Sequence, residues 1–364
     1  MQKLDEVKDI IPLLKNHKGV FVQGAQATPE LLLQTIAENA NALNPLTFYH
    51  LHLEGSAPHA DIEKFRVVNF FVGKNMHKKL DYDRVDYLPC FLSEIPNLLE
   101  DANLSFDVSL IHVSPPDQHG YCSLGISVDI VLSALKHSKI VIALVNENMP
   151  RTFGDGLIHH SQIDYGFYCN QVLPQFKSPE LSDIEKKIGE NVASLIPNGA
   201  TLQVGIVSIP DAVLRALHSH KDLGVHTEMF SNSLIPLIQS GVINNSQKSI
   251  HPHKVVSGFA VGDKDLLNYV NDNPAFHFLN IKYVNHPNVI KLNPKVMAIN
   301  SAVELDLTGQ VCEDSIGANI ISGVGGQMDF MRGATFSDGG KAIIAISHPN
   351  DRDRLLSELI ELRN

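Results

Sequence analysis

Gly24-Ala-Gln-Ala-Thr28-Pro29-Glu30 in the first half of the chain and Gly205-Ile-Val-Ser-Ile-Pro210-Asp211 in the second carry one pattern twice. Each follows a short apolar run, Lys18–Val22 or Thr201–Val204, and opens a stretch with helical spacing, Pro29–Asn39 or Pro210–His218. The order is strand, glycine, four residues, proline, acid, helix. Proline suits a first helical position, where its missing N–H is not needed, and an acid beside it complements the helix dipole. The two prolines stand 181 residues apart (210 − 29), about half of the 364-residue chain.

Two more segments repeat in the same order. His52-Leu53-Glu54-Gly55 corresponds to His226-Thr227-Glu228-Met229, 174 residues on. Asp117-Gln-His-Gly120-Tyr-Cys122-Ser-Leu-Gly125 corresponds to Asp306-Leu-Thr-Gly309-Gln-Val-Cys312-Glu-Asp-Ser-Ile-Gly317. Any one match is short enough to be accidental; three in order at a near-constant offset indicate duplication. Leu46–Leu53, Val108–Val113, Lys139–Val145, Lys254–Phe259, Lys295–Ile299 and Lys341–Ile346 also read as strands, alternating with helical stretches. The expected fold class is therefore α/β: two similar halves with largely parallel sheets and a cleft between them. The polar, proline-containing stretch Gln171–Glu180 sets the expected domains at 1–178 and 179–364. The second opens on a helix with Ser182 as cap and Glu185 three residues later.

Composition narrows the function. Apolar residues make up 44% and charged residues 19%, enough for ordinary packed cores. The net charge of −11 argues against a nucleic-acid surface. Cys90, Cys122, Cys169 and Cys312 are scattered, with no CxxC, which suits a reducing cytoplasm and neither a disulfide framework nor a cysteine zinc site. Met1–Leu14 places Leu4, Val7, Ile11 and Leu14 on one helical stripe and is no signal peptide. Ile140–Val145 is too short to span a bilayer, so no membrane partner is expected.

Open α/β sheets bind ligands at the carboxyl ends of their strands. Glu228 lies near such an end and reads as a nucleophile or base, or else as a surface or capping acid; residue type alone does not separate these. Gly317–Phe330 holds Gly323, Gly325 and Gly326 followed by Gln327. Its backbone N–H groups suit phosphates or an oxyanion, or simply form a tight turn. It matches neither the dinucleotide fingerprint nor a P-loop. Ser114–Gly120 and Asn146–Asp155 read as strand-end loops. The 18 histidines include the pairs His50/His52, His159/His160, His218/His220 and His251/His253, but no H-E-x-x-H, and no metal is expected. No G-x-S-x-G elbow supports serine hydrolysis.

Together these segments resemble the acetyl-CoA hydrolase/transferase family, especially its 4-hydroxybutyrate and butyrate CoA-transferase members. The carrying residues are Ser114–Gly125, Asn148–Asp155, Gly224–Phe230, Asp314–Gly317 and Ser322–Phe330, with Gly24–Pro29 and Phe71–Gly73. The resemblance spans residues 1 to about 346. It implies two CoA-transferase-like domains, Glu228 as the catalytic glutamate, and Gly205, Gly323, Gly325, Gly326 and Gln327 at the CoA and substrate site. It also implies coenzyme A as substrate rather than resident cofactor, short carboxylic acids as partners, and a homodimer. Acetyl-CoA hydrolysis and silent acyl-CoA binding are the alternatives.

Two departures stand out. Val207 occupies a position where the family usually has glycine. After Lys341–Ile346 the family continues for several dozen residues, whereas Ser347 onward here resembles its final helix directly. An internal segment is thus expected to be absent, which bears on the completeness of the second sheet.

Overall fold

The computed structural model describes residues 1–100, 104, 106–176, 180–205, 208–306 and 308–346. Two sheets dominate. The first contains β1 (Gln2–Lys3), β2 (Gly19–Val22), β3 (Thr47–His50), β4 (Arg66–Asn69), β5 (Val85–Tyr87), β6 (Val108–Val113), β7 (Ile140–Asn146) and β8 (Tyr165–Cys169). The second contains β9 (Thr201–Val204), β10 (Gly224–Ser231), β11 (Val255–Val261), β12 (Phe276–Phe278), β13 (Val296–Ser301) and β14 (Lys341–Ala345). Every pairing within both is parallel. Parallel strands are covered on both faces, and accordingly β2 and β6 are buried along their whole length.

The duplication is visible in the strand order. The first sheet runs β1-β8-β7-β6-β2-β3-β4-β5 and the second β14-β13-β9-β10-β11-β12. The run β7-β6-β2-β3-β4-β5 maps strand for strand onto the whole second sheet. Beyond β7 the first sheet adds β8 and β1, whereas among the described residues the second sheet ends at β14. Helix α1 (Glu30–Glu38) follows β2, as α3 (Ser208–Ala216) follows β9. Pro29 is the residue before α1, but Pro210 is the third residue of α3, which begins two positions earlier than the repeat suggests. Proline fits there because first-turn N–H groups have no intrahelical partner. Helix α2 (Asp183–Ala193) starts on the expected box: Ser182 Oγ accepts from Glu185 N–H (3.2 Å) and the Glu185 carboxylate from Ser182 N–H (2.8 Å).

The third sequence match is the same turn built twice. Asp117 accepts at Oδ1 from the N–H groups of His119 and Tyr121, and its own N–H donates to Tyr121 O. Asp306 does likewise with Thr308 and Gln310. Gly120 and Gly309 close the two turns at φ +83° and +90°.

The eight strands read from sequence all form. Arg66–Asn69, Val85–Tyr87, Tyr165–Cys169 and Phe276–Phe278 were not legible, being short or mixed in polarity. The Met1–Leu14 stripe buries Leu4, Ile11 and Leu14, but only Ile10–Leu14 is α-helical. The expected boundary at 178/179, Val207 and the tail from Ser347 lie outside the described residues. Among those described, no helix is long and apolar enough to cross a membrane.

The halves interlock. Val128 and Asp129 donate their N–H groups to Gly258 O on β11, and Ala260 N–H donates to Ile126 O. Arg151–Asp155 runs beside β12: Phe278 N–H donates to Phe153 O (2.8 Å) and Asp155 N–H to Phe278 O (3.0 Å). Arg151 pairs with Asp117 at 3.0 Å and Asp272 at 3.2 Å. The Asn146–Asp155 loop thus serves as a clasp between the halves.

Candidate active site

Glu228 lies within β10 rather than at its end. Strand β10 continues to Ser231 along β11, but its other neighbour, β9, stops at Val204. The pair Leu202↔Val225, carried forward, sets Gly205 against Glu228. The carboxylate therefore emerges where one adjoining strand gives way to a loop.

Three elements meet it there. Asn285, which follows the short helix Ile281–Val284, donates Nδ2–H to Glu228 Oε2 at 3.0 Å. Gly326 caps helix α4 (Gln327–Phe336) and gives the carboxylate a backbone N–H. A side chain at Gly326 has no room, since its Cβ would overlap the Glu228 carboxylate and the Asn285 amide. Asp329, buried in the first turn of α4, is held by Ser93 through N–H (3.0 Å) and Oγ–H (2.7 Å).

Burial pushes the Glu228 pKa up to about 7, and the nearby carboxylates of Asp329 and Asp129 push the same way. The Asn285 and Gly326 hydrogen bonds oppose this without cancelling it. Burial likewise raises Asp329 to about 6, against its bonds to Ser93 and Asn285. Glu313, on the chain leading into the glycine segment, rises to about 8 through burial and the charges of Asp314 and Glu228. Acidic groups crowded into a poorly solvated cleft make it a candidate functional site.

The glycine segment is brought to Glu228 only in part. Gly326 touches it. Gly323 packs on the backbone of Phe71, and Gly325, at φ +56°, lies over the Phe71 ring and accepts from Leu92 N–H. Gln327 is the first residue of α4. Gly205 ends β9 against Ile299 and Asn300. Phe71 also stands 5.7 Å, centroid to centroid, from His52, whose ring is 5.6 Å from Phe259. Ends of strands from both sheets thus wall one cleft.

The second sequence match is two residues out of register. Strand β2 meets β3 at Phe21↔Tyr49, and the pairing continues to Ala25↔Leu53, which sets Gly24 against His52. With Gly24 and Gly205 aligned, Glu228 takes the place of His52, not of Glu54. A two-residue slip keeps every side chain on its own face, so the pattern could not reveal it. Asn285 and Ser93 were missed altogether: each comes from a loop remote in sequence. Asp329 stood inside the quoted glycine segment, but no local pattern marks it as a partner of Ser93.

Several histidines are buried in the first half. His50, His59 and His112 are buried with unpartnered ring nitrogens, and burial drives His50 to about 3 and His112 to about 4. Among the described residues no group of three or more His, Cys, Asp or Glu side chains is placed to hold a metal ion.

Comparison with known proteins identifies the family. A sequence profile described as acetyl-CoA hydrolase/transferase N-terminal domain matches residues 1–174, and its C-terminal counterpart matches residues 262–360. The 4-hydroxybutyrate coenzyme A transferase of Clostridium kluyveri is 45% identical over 348 residues, 95% of this chain and 81% of that protein. A succinyl-CoA:acetate/propanoyl-CoA:succinate CoA transferase of Fasciola hepatica is 44% identical over 93% of this chain and 72% of its own length. The crystal structure of RipA from Yersinia pestis superposes with a TM-score of 0.87 at 28% identity, covering 94% of this chain and 81% of that one.

Proposed function

The chain belongs to the acetyl-CoA hydrolase/transferase family and is a CoA-transferase, and from that premise we propose that it moves coenzyme A between a short-chain acyl-CoA and a carboxylic acid through a thioester on Glu228. The acyl-CoA is 4-hydroxybutyryl-, butyryl- or acetyl-CoA and the acceptor is an acid such as acetate. The enzyme works as a cytoplasmic homodimer. The observation carrying this reading is the Glu228 carboxylate, held by Asn285 Nδ2 at 3.0 Å and by Gly326 N–H in a site that raises its pKa to about 7.

The carboxylate attacks the thioester carbonyl; the C–S bond breaks, CoA leaves as thiolate, and an acyl–glutamyl anhydride remains. The thiolate then attacks the glutamyl carbonyl, the anhydride C–O bond breaks, and the first acid departs as carboxylate. Glu228 now carries CoA as a thioester. A second carboxylate attacks that thioester and the same two steps run in reverse, regenerating the Glu228 carboxylate. No net proton is taken up. A covalent intermediate keeps the thioester free energy that direct hydrolysis loses.

Poor solvation suits the nucleophile, because little hydration is given up as its charge moves to the leaving thiolate. Asn285 and Gly326 face the oxygen that bears developing charge whenever the glutamyl carbonyl is attacked, so they act as its oxyanion donors. Glycine at 326 allows that approach. Glu228 is not fully enclosed, which favours hydrolysis as a side reaction when no acceptor acid is present.

Incubation with acetyl-CoA followed by proteolysis and peptide mass spectrometry tests the proposal. A CoA adduct on the peptide containing Glu228 is expected. Intact acetyl-CoA and no adduct on folded protein would sink it. Turnover that persists without any acceptor acid would instead make the chain a hydrolase.

A further inference from the structure

At the amino-terminal ends of β2, β3 and β4, opposite the end where the Glu228 cleft opens, the first sheet holds a cavity of about 580 Å³. Three separate loops build it: Asn16–Lys18 before β2, Asn44–Thr47 before β3, and Lys64 with Arg66 at the start of β4. Four of its nine lining residues are basic (His17, Lys18, Lys64 and Arg66), and none is acidic. One of the four, His17, stands 3.7 Å from the Asp107 carboxylate, which Lys139 also engages at 2.7 Å. Lys64 Nζ donates to Leu43 O at 2.7 Å and keeps its remaining protons for another acceptor. Among the described residues no carboxylate stands within ion-pair distance of the Lys18 or Arg66 side chain.

We propose that this pocket binds a compact ligand bearing two or more phosphates, at a site distinct from the Glu228 cleft. The chain carries 40 acids against 29 lysines and arginines, so a concave surface lined by four basic residues and no acid runs against its overall balance. Phosphate oxygens accept several charge-assisted hydrogen bonds at once from Lys and Arg, which is what converging side chains of this kind offer. Buried Leu46, with Pro45 beside it, supplies an apolar wall on which a base or sugar edge can rest.

The second half serves as an internal control. At the equivalent strand ends, Asp222 follows Lys221 directly and accepts from Asn244 Nδ2 at 2.7 Å. Lys254, just before β11, donates Nζ–H to Pro274 O at 2.6 Å, as Lys64 does to Leu43 O at 2.7 Å.

Calorimetric titration of the full chain with inorganic pyrophosphate and, separately, with ADP tests the proposal, using wild type and the Lys18→Ala/Arg66→Ala double variant. Wild type is expected to bind both, more weakly as salt is raised. Tighter binding of ADP than of pyrophosphate identifies a nucleotide as the occupant; equal binding identifies the phosphates alone. The double variant should lose about tenfold or more in affinity for both, with an unchanged thermal midpoint because both side chains are exposed. ADP is also a fragment of CoA. Equal affinities in wild type and double variant would place the binding in the Glu228 cleft and overturn the proposal, as would no binding of either probe by wild type.

Discussion

His52 and Glu228 occupy the same place in the two halves, each beside the glycine that ends the neighbouring strand, and burial acts on both in the same sense. It disfavours charge, so the histidine falls to about 4 and the carboxylate rises to about 7. Their surroundings then diverge. His52 is flanked by the rings of Phe71 and Phe259. Glu228 faces the Asn285 amide and the N–H of Gly326 at the head of α4. A duplicated strand end thus supplies the same place twice, but the groups brought to it from elsewhere in the chain give the two copies different surroundings, and on the proposed mechanism those surroundings decide which copy reacts.

Removing the carboxylate breaks the comparison most severely. Glu228→Gln should lower CoA-transfer turnover by about 10³-fold or more and abolish the CoA adduct, since a nucleophile has no substitute. Asn285→Ala comes next, with about a 10²-fold loss in kcat as one oxyanion donor goes. Its bond to Glu228 lowers that pKa, so the acid limb of the pH–rate profile should move to higher pH. A limb that stays put would show that Asn285 acts only through packing.

Stability sharpens the same contrast. The folded-state pKa of Glu228 is raised, so its penalty is absent at low pH and fully present above about 7. For His52 it is depressed, so the penalty is absent above 6.5 and grows as pH falls toward about 4. Glu228→Gln should therefore raise the unfolding free energy read from urea titration more at pH 8 than at pH 5, and His52→Leu more at pH 5 than at pH 8, each difference being on the order of 1 kcal/mol. Opposite or equal pH trends would remove the claim that burial dominates at both positions.

The clasp between the halves is expected to matter less for chemistry than for stability. Gly154, at φ +115°, lies against the Phe278 backbone with no space for a Cβ. Gly154→Ala should cost about 1–3 kcal/mol, read from denaturant unfolding. Measured against Glu228→Gln alone, the smallest further change is expected from adding His52→Glu to it. It returns a carboxylate to the equivalent place without Asn285 or Gly326, and no CoA adduct should form on it.

Much of this was legible early because the signals were local and repeated. Apolar runs such as Val108–Val113 announce buried parallel strands, and glycine followed by proline and acid announces the strand-to-helix unit. Ser182 with Glu185 writes a helix cap into four residues. The short strands Val85–Tyr87 and Phe276–Phe278 lacked such a signature because three residues cannot display a period. The His52–Glu54 match misled by two positions, since a strand pattern of period two is blind to a two-residue slip.

The sequence by itself determined two α/β halves, the strand that carries Glu228, and the position of the glycine segment. Each of these is carried by residue types at fixed spacing along a short stretch. Residue type alone left the roles of Glu228 and the glycine segment open, and only the family resemblance pointed to them. Only the tertiary structure decided that Glu228 stands opposite Gly205, that Asn285 and Gly326 supply its donors, that Ser93 holds Asp329, and that the clasp from Arg151 to Asp155 binds one half to the other. Those contacts join residues 57, 98, 236 and 121 positions apart (285 − 228, 326 − 228, 329 − 93 and 272 − 151). Separations of that size leave no periodic trace in the chain, because they are set by how two sheets pack and not by any local preference of the backbone.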